Sequence, residues 1–441
     1  MSIVRAFAAD FSVYAASRII AATAWVATVW VLTSNLAPSQ YAQFWQVFTL
    51  VTGTASLATS WLVTAQRRFY ARFEKNNELH SYVETSVVSA KICLGLSLVV
   101  FVIFLGANWA YDLVVLDFTQ WMGTAIAFVL CIIFLIYCGH LIAARKPRQY
   151  LLFSAGQSIL LLAALYTALN FAGGNGVTWS VVVFAASYGI FLLVAGWHEH
   201  VAGTDLWSRV VLLWNERALG YSTEYLRFGL PLVLMNLAFL LSNLGTQIIV
   251  QNLHSASAAG IYAAYYAPIE RIVGFVTAIA ATALIPLLAN HWEQGHQRQA
   301  LRFLGLVILA TTTATGAIAA IIVIAGDAFA SNMVGTEYLS GVELIAPTAV
   351  SCFLFGIASI IADVLIIKRR TLLLALMFVV AVVIGLTTAV VIVPEQAALG
   401  GAYARVVSSL ASVVLVGGAA VFVVWRDFSV NRRGRMGLGK S

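Results

Sequence analysis

Residues 371–393 read TLLLALMFVVAVVIGLTTAVVIV, an uncharged run bounded by Lys368-Arg369-Arg370 before it and Pro394-Glu395 after it. A helix rises about 1.5 Å per residue, so a run of this length covers the roughly 30 Å hydrocarbon core of a bilayer. It has no charged face with which to meet water, and the basic triplet marks one end as a membrane interface. Comparable runs fall at 11–33, 41–63, 86–107, 121–142, 150–171 and 177–197, then at 228–251, 257–289, 303–325, 341–366 and 398–425. Together they predict an all-α membrane protein of twelve transmembrane helices.

Composition excludes the other classes. The 441 residues are 61% hydrophobic and only 10% charged, with a mean hydropathy of +0.91, whereas soluble domains carry about 25% charged residues. Such a chain cannot coat a soluble surface, and it is far too apolar for disorder. Its basic residues are dispersed, so no nucleic-acid partner is expected. The first run carries Arg18 and exceeds a signal peptide in length, and is expected to stay in the mature protein. Cys93, Cys131, Cys138 and Cys352 all fall within runs, as small packing residues rather than a disulfide or metal framework.

Lys and Arg occupy alternate loops. One set holds Arg5, then Arg67, Arg68, Arg72 and Lys75, then Arg145, Lys146 and Arg148, then Arg209, Arg217 and Arg227. It continues with Arg298 and Arg302, Lys368 to Arg370, and the tail from Arg426 to Lys440. The other set, 34–40, 108–120, 172–176, 252–256, 326–340 and 394–397, has neither residue. The positive-inside rule then predicts cytoplasmic termini and assigns the +7 net charge to topology. One long interruption, 198–227, carries Leu206, Trp207, Val210, Leu213 and Trp214 at helical spacing. It reads as an interfacial amphipathic linker. The predicted parts are an N-terminal six-helix bundle (1–197), this linker (198–227), and a C-terminal six-helix bundle with a basic tail (228–441). An even number of spans in each half makes the halves parallel repeats, pseudo-symmetric about a central cavity.

Polar residues cluster on particular faces. Gln46, Thr49, Gly53, Ser56, Ser60 and Thr64 recur every three or four residues in the second run. Asn236, Asn243, Gln247 and Gln251 do so in the seventh, and Tyr262, Tyr266, Glu270, Gly274 and Thr277 in the eighth. An amide facing lipid unpaired is costly, so these faces meet one another or water. Hydrogen-bonded glue between helices is one reading; matching positions in both halves favour a water-filled cavity. Charges deep in spans are costlier still. Arg18, Arg271 and Arg405 read either as a snorkelling or locally paired set or as cationic sites for an anionic substrate. Guanidinium keeps its charge when buried and binds phosphate by a planar fork. Glu270 and Asp363 are candidates for proton coupling, Asp363 alternatively pairing with the basic cluster from Lys368. Pro231, Pro268, Pro286 and Pro347 interrupt spans and are candidate hinges. His198-Glu199-His200 lacks a third ligand and no GxxxxGK[ST] loop occurs, so neither metal nor cofactor is expected. The short loops without Lys or Arg argue against a membrane enzyme.

Several stretches resemble one family. Tyr14-Ala-Ala-Ser-Arg18 followed by Leu36-Ala-Pro-Ser-Gln-Tyr41 is similar to its start, as are Gln66-Arg-Arg-Phe-Tyr70 and Arg145-Lys-Pro147. Tyr225-Leu-Arg-Phe-Gly-Leu-Pro-Leu232, Ala259-Gly-Ile-Tyr262 and Ile285-Pro-Leu-Leu288 extend the likeness. The chain resembles the Wzx-type polysaccharide flippases of the multidrug/oligosaccharidyl-lipid/polysaccharide exporter superfamily. It departs from many of them late in span 7, where Asn243, Thr246 and Gln247 stand in place of an acid and a base. The resemblance implies movement of undecaprenyl-diphosphate-linked oligosaccharide from the inner to the outer leaflet of a bacterial cytoplasmic membrane, for surface polysaccharide assembly. It implies Arg18, Arg271 and Arg405 as candidate diphosphate ligands; Gln46, Asn243 and Gln247, from the polar faces, are the further candidate substrate-binding residues. It also implies membrane lipids, a polysaccharide polymerase and glycosyltransferases as partners. A drug/cation antiporter of the same superfamily and a non-transporting scaffold of a polysaccharide-synthesis complex are the alternatives.

Overall fold

The computed structural model describes residues 3–111, 116–144, 146–171, 173, 175–201, 216–293, 297–368 and 370–437. Among these there is no strand. The first six helices are α1 (Ile3–Asn35), α2 (Pro38–Lys75), α3 (Leu79–Tyr111), α4 (Phe118–Ala143), α5 (Pro147–Phe171) and α6 (Gly176–Val201). Then come α7 (Glu216–Leu253), α8 (Ala256–Glu293), α9 (Gln297–Ile324), the short α10 (Gly326–Met333), a 3-10 turn (Thr336–Leu344), α11 (Ile345–Ile367) and α12 (Thr371–Gly437).

Local chemistry sets the helix ends. Pro38 opens α2, and the Gln40 carboxamide oxygen accepts the Ala37 N–H at 3.2 Å. Asp117 caps α4 by accepting the Gln120 N–H at 2.8 Å, and Asn175 caps α6 by accepting that of Val177 at 3.0 Å. Within the spans, hydroxyls turn back on their own helices. Thr28 donates to the Ala24 carbonyl at 2.8 Å and Thr59 to that of Ala55 at 2.8 Å, which removes their cost in lipid.

Ten helical stretches among the described residues are long and apolar enough to cross a membrane. One of them, Thr371–Arg426, is 56 residues long, more than twice the roughly 20 that one crossing needs. It reverses at Ala397, whose φ of 50° and ψ of −128° lie outside helical space. Its arms then run side by side, Ser408 donating to the Ala381 carbonyl at 3.1 Å. This reversal accounts for two crossings in that stretch; the 38-residue α8, which contains the predicted eighth run, is not among the ten.

Two expectations change. The predicted second and seventh spans covered 41–63 and 228–251, whereas α2 runs to Lys75 and α7 starts at Glu216. Hydropathy ends at the membrane edge, but the backbone hydrogen bonds continue, because the extensions pack on each other. Phe69 stacks on Tyr225 with ring centroids 5.1 Å apart, Phe73 meets Tyr221 at 5.2 Å, and Arg72 pairs with Glu224 at 3.2 Å. Residues 216–227 of the expected linker are therefore the first turns of α7; Trp207 and Trp214 lie outside the described residues. The expected loop 326–340 is also helical over most of its length, as α10 and the start of the 3-10 turn.

Helices α1–α6 pack mainly among themselves, as do α7–α12, giving two bundles joined along a seam. The seam is made by α1, α2 and α3 on one side and α7, α8, α10 and the 3-10 turn on the other. Helices α2 and α7 run antiparallel from one end to the other, with Leu50 buried against Leu240 and Leu244 midway.

Candidate functional site

At the end of the molecule whose loops lack Lys and Arg, the seam is shut. Gly260, at the start of α8, lies so close to α2 that a Cβ there would fall 1.8 Å from the Pro38 carbonyl oxygen. The 3-10 turn docks on the end of α1: the Gly335 N–H donates to Thr33 Oγ1 at 3.1 Å, and the buried Tyr338 hydroxyl donates to the Leu36 carbonyl at 2.8 Å. Tyr265 of α8 donates to the Tyr338 carbonyl at 3.1 Å, and the Tyr41 ring meets Tyr338 edge-on at 5.9 Å. Gln46 donates to the Gln251 carboxamide oxygen, and Gln247 donates to the Ala42 carbonyl at 3.2 Å. Gln46 and Gln247, expected to line a cavity, thus clasp the bundles here. Each keeps a buried carboxamide oxygen without a partner.

Away from the clasp, arginines face the seam and the first bundle's interior. Arg271, in α8, projects from the second bundle onto the first, its guanidinium carbon 5.8 Å from the Trp25 ring of α1 and within electrostatic reach of Tyr188 on α6. Trp25 is itself stacked on Phe48 at 4.2 Å, and its buried indole N–H has no partner. Arg18 and Arg67 form a second group. Both side chains are exposed. Yet Tyr14, Arg18, Cys138 and Tyr150, from α1, α4 and α5, all lie within electrostatic reach of Arg67. A solvent-reached side chain ringed by three other helices lies in a recess rather than on a convex surface. Beside it, Gln66 is buried with neither carboxamide atom partnered. Among the described residues, Arg18, Arg67 and Arg271 have no carboxylate at ion-pair distance, although Glu270 adjoins Arg271 in sequence.

Arg405 is placed differently. It is buried inside the second bundle, donating to Ser242 Oγ and the Tyr266 hydroxyl, with its guanidinium carbon 4.9 Å from the Tyr266 ring. The Tyr266 hydroxyl in turn donates to Asn243 Oδ1 at 2.9 Å. Asn243 and Arg405 thus belong to one network that ties α12 to α7 and α8, with half-buried Glu270 in electrostatic reach of Arg405. Asp363 is buried with Oδ2 unpartnered and joins none of these groups.

The sequence reading placed Arg67 among the loop arginines. Its signal lay in the polar stripe of the second run: Ser60, Thr64 and Arg67 continue the same spacing of four and three, on a helix that does not stop at residue 63.

The sequence profile of polysaccharide biosynthesis proteins matches residues 7–292. The chain belongs to that family. A comparison with curated proteins gives no match. Solved structures share the fold of this polysaccharide biosynthesis family member at low identity. An inward-facing multidrug resistance MATE family transporter of the multidrug/oligosaccharidyl-lipid/polysaccharide superfamily has a TM-score of 0.68 at 12% identity, over 95% of this chain and 99% of that one. The eukaryotic MATE transporter AtDTX14 has a TM-score of 0.64 at 16% identity, over 97% of this chain and 98% of that one. A MATE protein in complex with MaD3S gives 0.68 at 14% identity, over 96% of both. The chain is a multi-pass membrane protein that shares the two-bundle fold of these MATE structures.

Proposed function

We propose that this protein is a flippase that carries undecaprenyl-diphosphate-linked oligosaccharide across a bacterial cytoplasmic membrane, for surface polysaccharide assembly. The observation that carries the reading is the set Arg18, Arg67 and Arg271, cationic, without carboxylate partners among the described residues, on helices of both bundles. A guanidinium without a carboxylate partner favours an anion, and a diphosphate offers two groups that fit its fork. The Lys- and Arg-bearing loops are assigned to the cytoplasm, with both termini. The clasp of Gln46, Gln247, Tyr338 and Gly260 then closes the outer side. In this state the head group reaches the arginines from within, while its polyprenyl tail stays in lipid.

Release requires the clasp to open. Moving an anion outward across an inside-negative membrane is favoured by about 2.3 kcal/mol per charge per 100 mV, so a head group near −2 gains roughly twice that. Direction is thereby biased without nucleotide hydrolysis. Arg405 serves the second bundle's architecture, and its network with Tyr266 holds Asn243 in place. Glu270 and Asp363 remain the proposed proton carriers.

The test is a proteoliposome assay of lipid-linked oligosaccharide flipping. Arg67→Ala and Arg271→Ala each remove a charge-assisted contact worth about 1.5–3 kcal/mol and slow flipping by roughly 10- to 150-fold. Wild-type rates in both variants, or export of a cationic drug that the arginine variants leave unchanged, would overturn the reading.

A further inference from the structure

The arginines without carboxylate partners form two groups rather than one. Arg18 and Arg67 share the recess of the first bundle, where Cys138 lies within electrostatic reach of both. Arg271 lies at the seam, against Trp25 of α1 and within reach of Tyr188. Trp25 follows Arg18 by seven residues, two turns along one face of α1, so the two cationic groups stand about 10 Å apart in depth. The bridging oxygen of a diphosphate holds its two phosphorus atoms far closer than that. One diphosphate therefore satisfies one group and leaves the other.

The seam is the place for the diphosphate. It is esterified directly to the polyprenyl chain, and between the bundles that chain has a way out to lipid. The recess is instead walled by α1, α2, α4 and α5 of a single bundle. Tyr14 and Tyr150, their ring centroids 5.5 Å apart, join α1 to α5 there. What reaches this recess is the part of the head group beyond the diphosphate, the glycan. Arg18 and Arg67 repel one another, with no carboxylate at ion-pair distance among the described residues. A neutral sugar leaves that repulsion standing. A carboxylate relieves it, and fits a guanidinium by two parallel hydrogen bonds. Gln66, buried next to Arg67 with neither carboxamide atom partnered, keeps an uncharged donor and acceptor there. Its Oε1 faces α4 at Gly139, the neighbour of Cys138 in the chain.

We propose that the recess of Arg18 and Arg67 binds a carboxylate of the glycan, so that the transported unit carries an acidic sugar, a hexuronic acid, near its diphosphate end. The proposal rests on the flippase reading and deepens it by naming the class of glycan. Arg271 takes the diphosphate, Arg18 and Arg67 take the acid, and the head group spans both bundles while the outer clasp is shut.

The experiment compares two undecaprenyl-diphosphate disaccharides that differ only in the second sugar, glucuronic acid against glucose. Flipping is followed in proteoliposomes without a membrane potential, so that the extra charge does not bias the rate by itself. At subsaturating substrate the wild type should flip the acidic lipid at least about tenfold faster, the worth of one charge-assisted contact. Arg18→Ala and Arg67→Ala should each bring the ratio of acidic to neutral rates near one, and Arg67→Lys should restore part of it. Arg271→Ala should slow both lipids and keep the ratio. Equal rates in the wild type, or a ratio that survives both Arg18→Ala and Arg67→Ala, overturn the acidic-sugar site and leave the flippase reading standing. Where neither lipid is flipped, saturation-transfer difference NMR decides, with the full chain in nanodiscs and methyl glucuronide and methyl glucoside as probes. Saturable glucuronide binding that Arg67→Ala weakens at least about tenfold keeps the site while the flippase reading fails. Glucuronide binding no stronger than that of the glucoside, or indifferent to Arg67→Ala, ends both.

Discussion

Gly260→Ala is the sharpest probe of the clasp. The added Cβ would lie 1.8 Å from the Pro38 carbonyl oxygen, 2.6 Å from its carbonyl carbon and 3.1 Å from its Cα. Ordinary contact is about 3.5–4.0 Å, so the start of α8 must withdraw by more than about 1.5 Å. The groups it meets are backbone and cannot rotate away. A shift of that size also carries the neighbouring cross-bundle contacts toward the limit of a hydrogen bond, among them Gln247 to Ala42 at 3.2 Å. Overpacking costs about 1–3 kcal/mol and each weakened hydrogen bond about 0.5–1.5 kcal/mol. A combined 2–4 kcal/mol moves the balance from sealed to open by on the order of 30- to 700-fold. Spin labels at Ser39→Cys and Ser257→Cys, both exposed, report the gap by double electron–electron resonance. The variant should populate a longer distance than wild type, with flipping reduced because the sealed state is visited rarely. Gly220→Ala is the control, since a Cβ there has nothing within 4 Å. An unchanged Ser39–Ser257 distance distribution in Gly260→Ala would refute the reasoning.

Further outcomes follow from the same geometry. Tyr338→Phe removes the hydroxyl held by Leu36 at 2.8 Å and should cost the seal about 0.5–1.5 kcal/mol, read as a smaller shift in the same distance measurement. Arg405→Ala leaves Ser242 and Tyr266 without their donor; thermal unfolding in detergent should show a loss of about 1–3 kcal/mol, whereas Arg271→Ala should lower flipping and leave the melting temperature nearly unchanged. Arg72→Ala breaks an exposed pair with Glu224 and should change stability by no more than about 1 kcal/mol, less in high salt, in the same unfolding assay.

The spans were legible because hydropathy over some twenty residues reports one variable, contact with lipid. The alternation of Arg67, Arg145 and Arg217 loops with loops lacking basic residues was legible for a similar reason, being linear in the chain. What periodicity does not carry is the identity of a partner. The spacing of Gln46 and Gln247 marked one face of each helix, and that face meets the other bundle; whether the amides meet water or each other depends on the conformation. Depth placed Arg405 inside the membrane, but its Tyr266 and Ser242 ligands come from helices more than a hundred residues earlier in the chain. Tyr338 looked like a loop residue because its partner, Leu36, lies in another bundle. Arg67 was misplaced by a boundary alone: α2 runs twelve residues beyond its apolar run, on contacts between aromatic rings that only the fold brings together.

Helix α7 is fastened to α2 by Tyr225 and Glu224 at the basic end and by Gln247 and Gln251 at the other. Between these fastenings lies Pro231, which lacks the N–H that would bond the Arg227 carbonyl. The stretch from Pro231 to Leu253 is a lever of about 33 Å, so a rotation of only about 10° at the proline swings its tip by roughly 6 Å. That sweep exceeds the reach of both glutamine contacts while leaving Tyr225 on Phe69. The two bundles can therefore part at one end and remain moored at the other, a motion that breaks the glutamine contacts and the packing of Leu240 and Leu244 on Leu50 while sparing the aromatic contacts at the basic end.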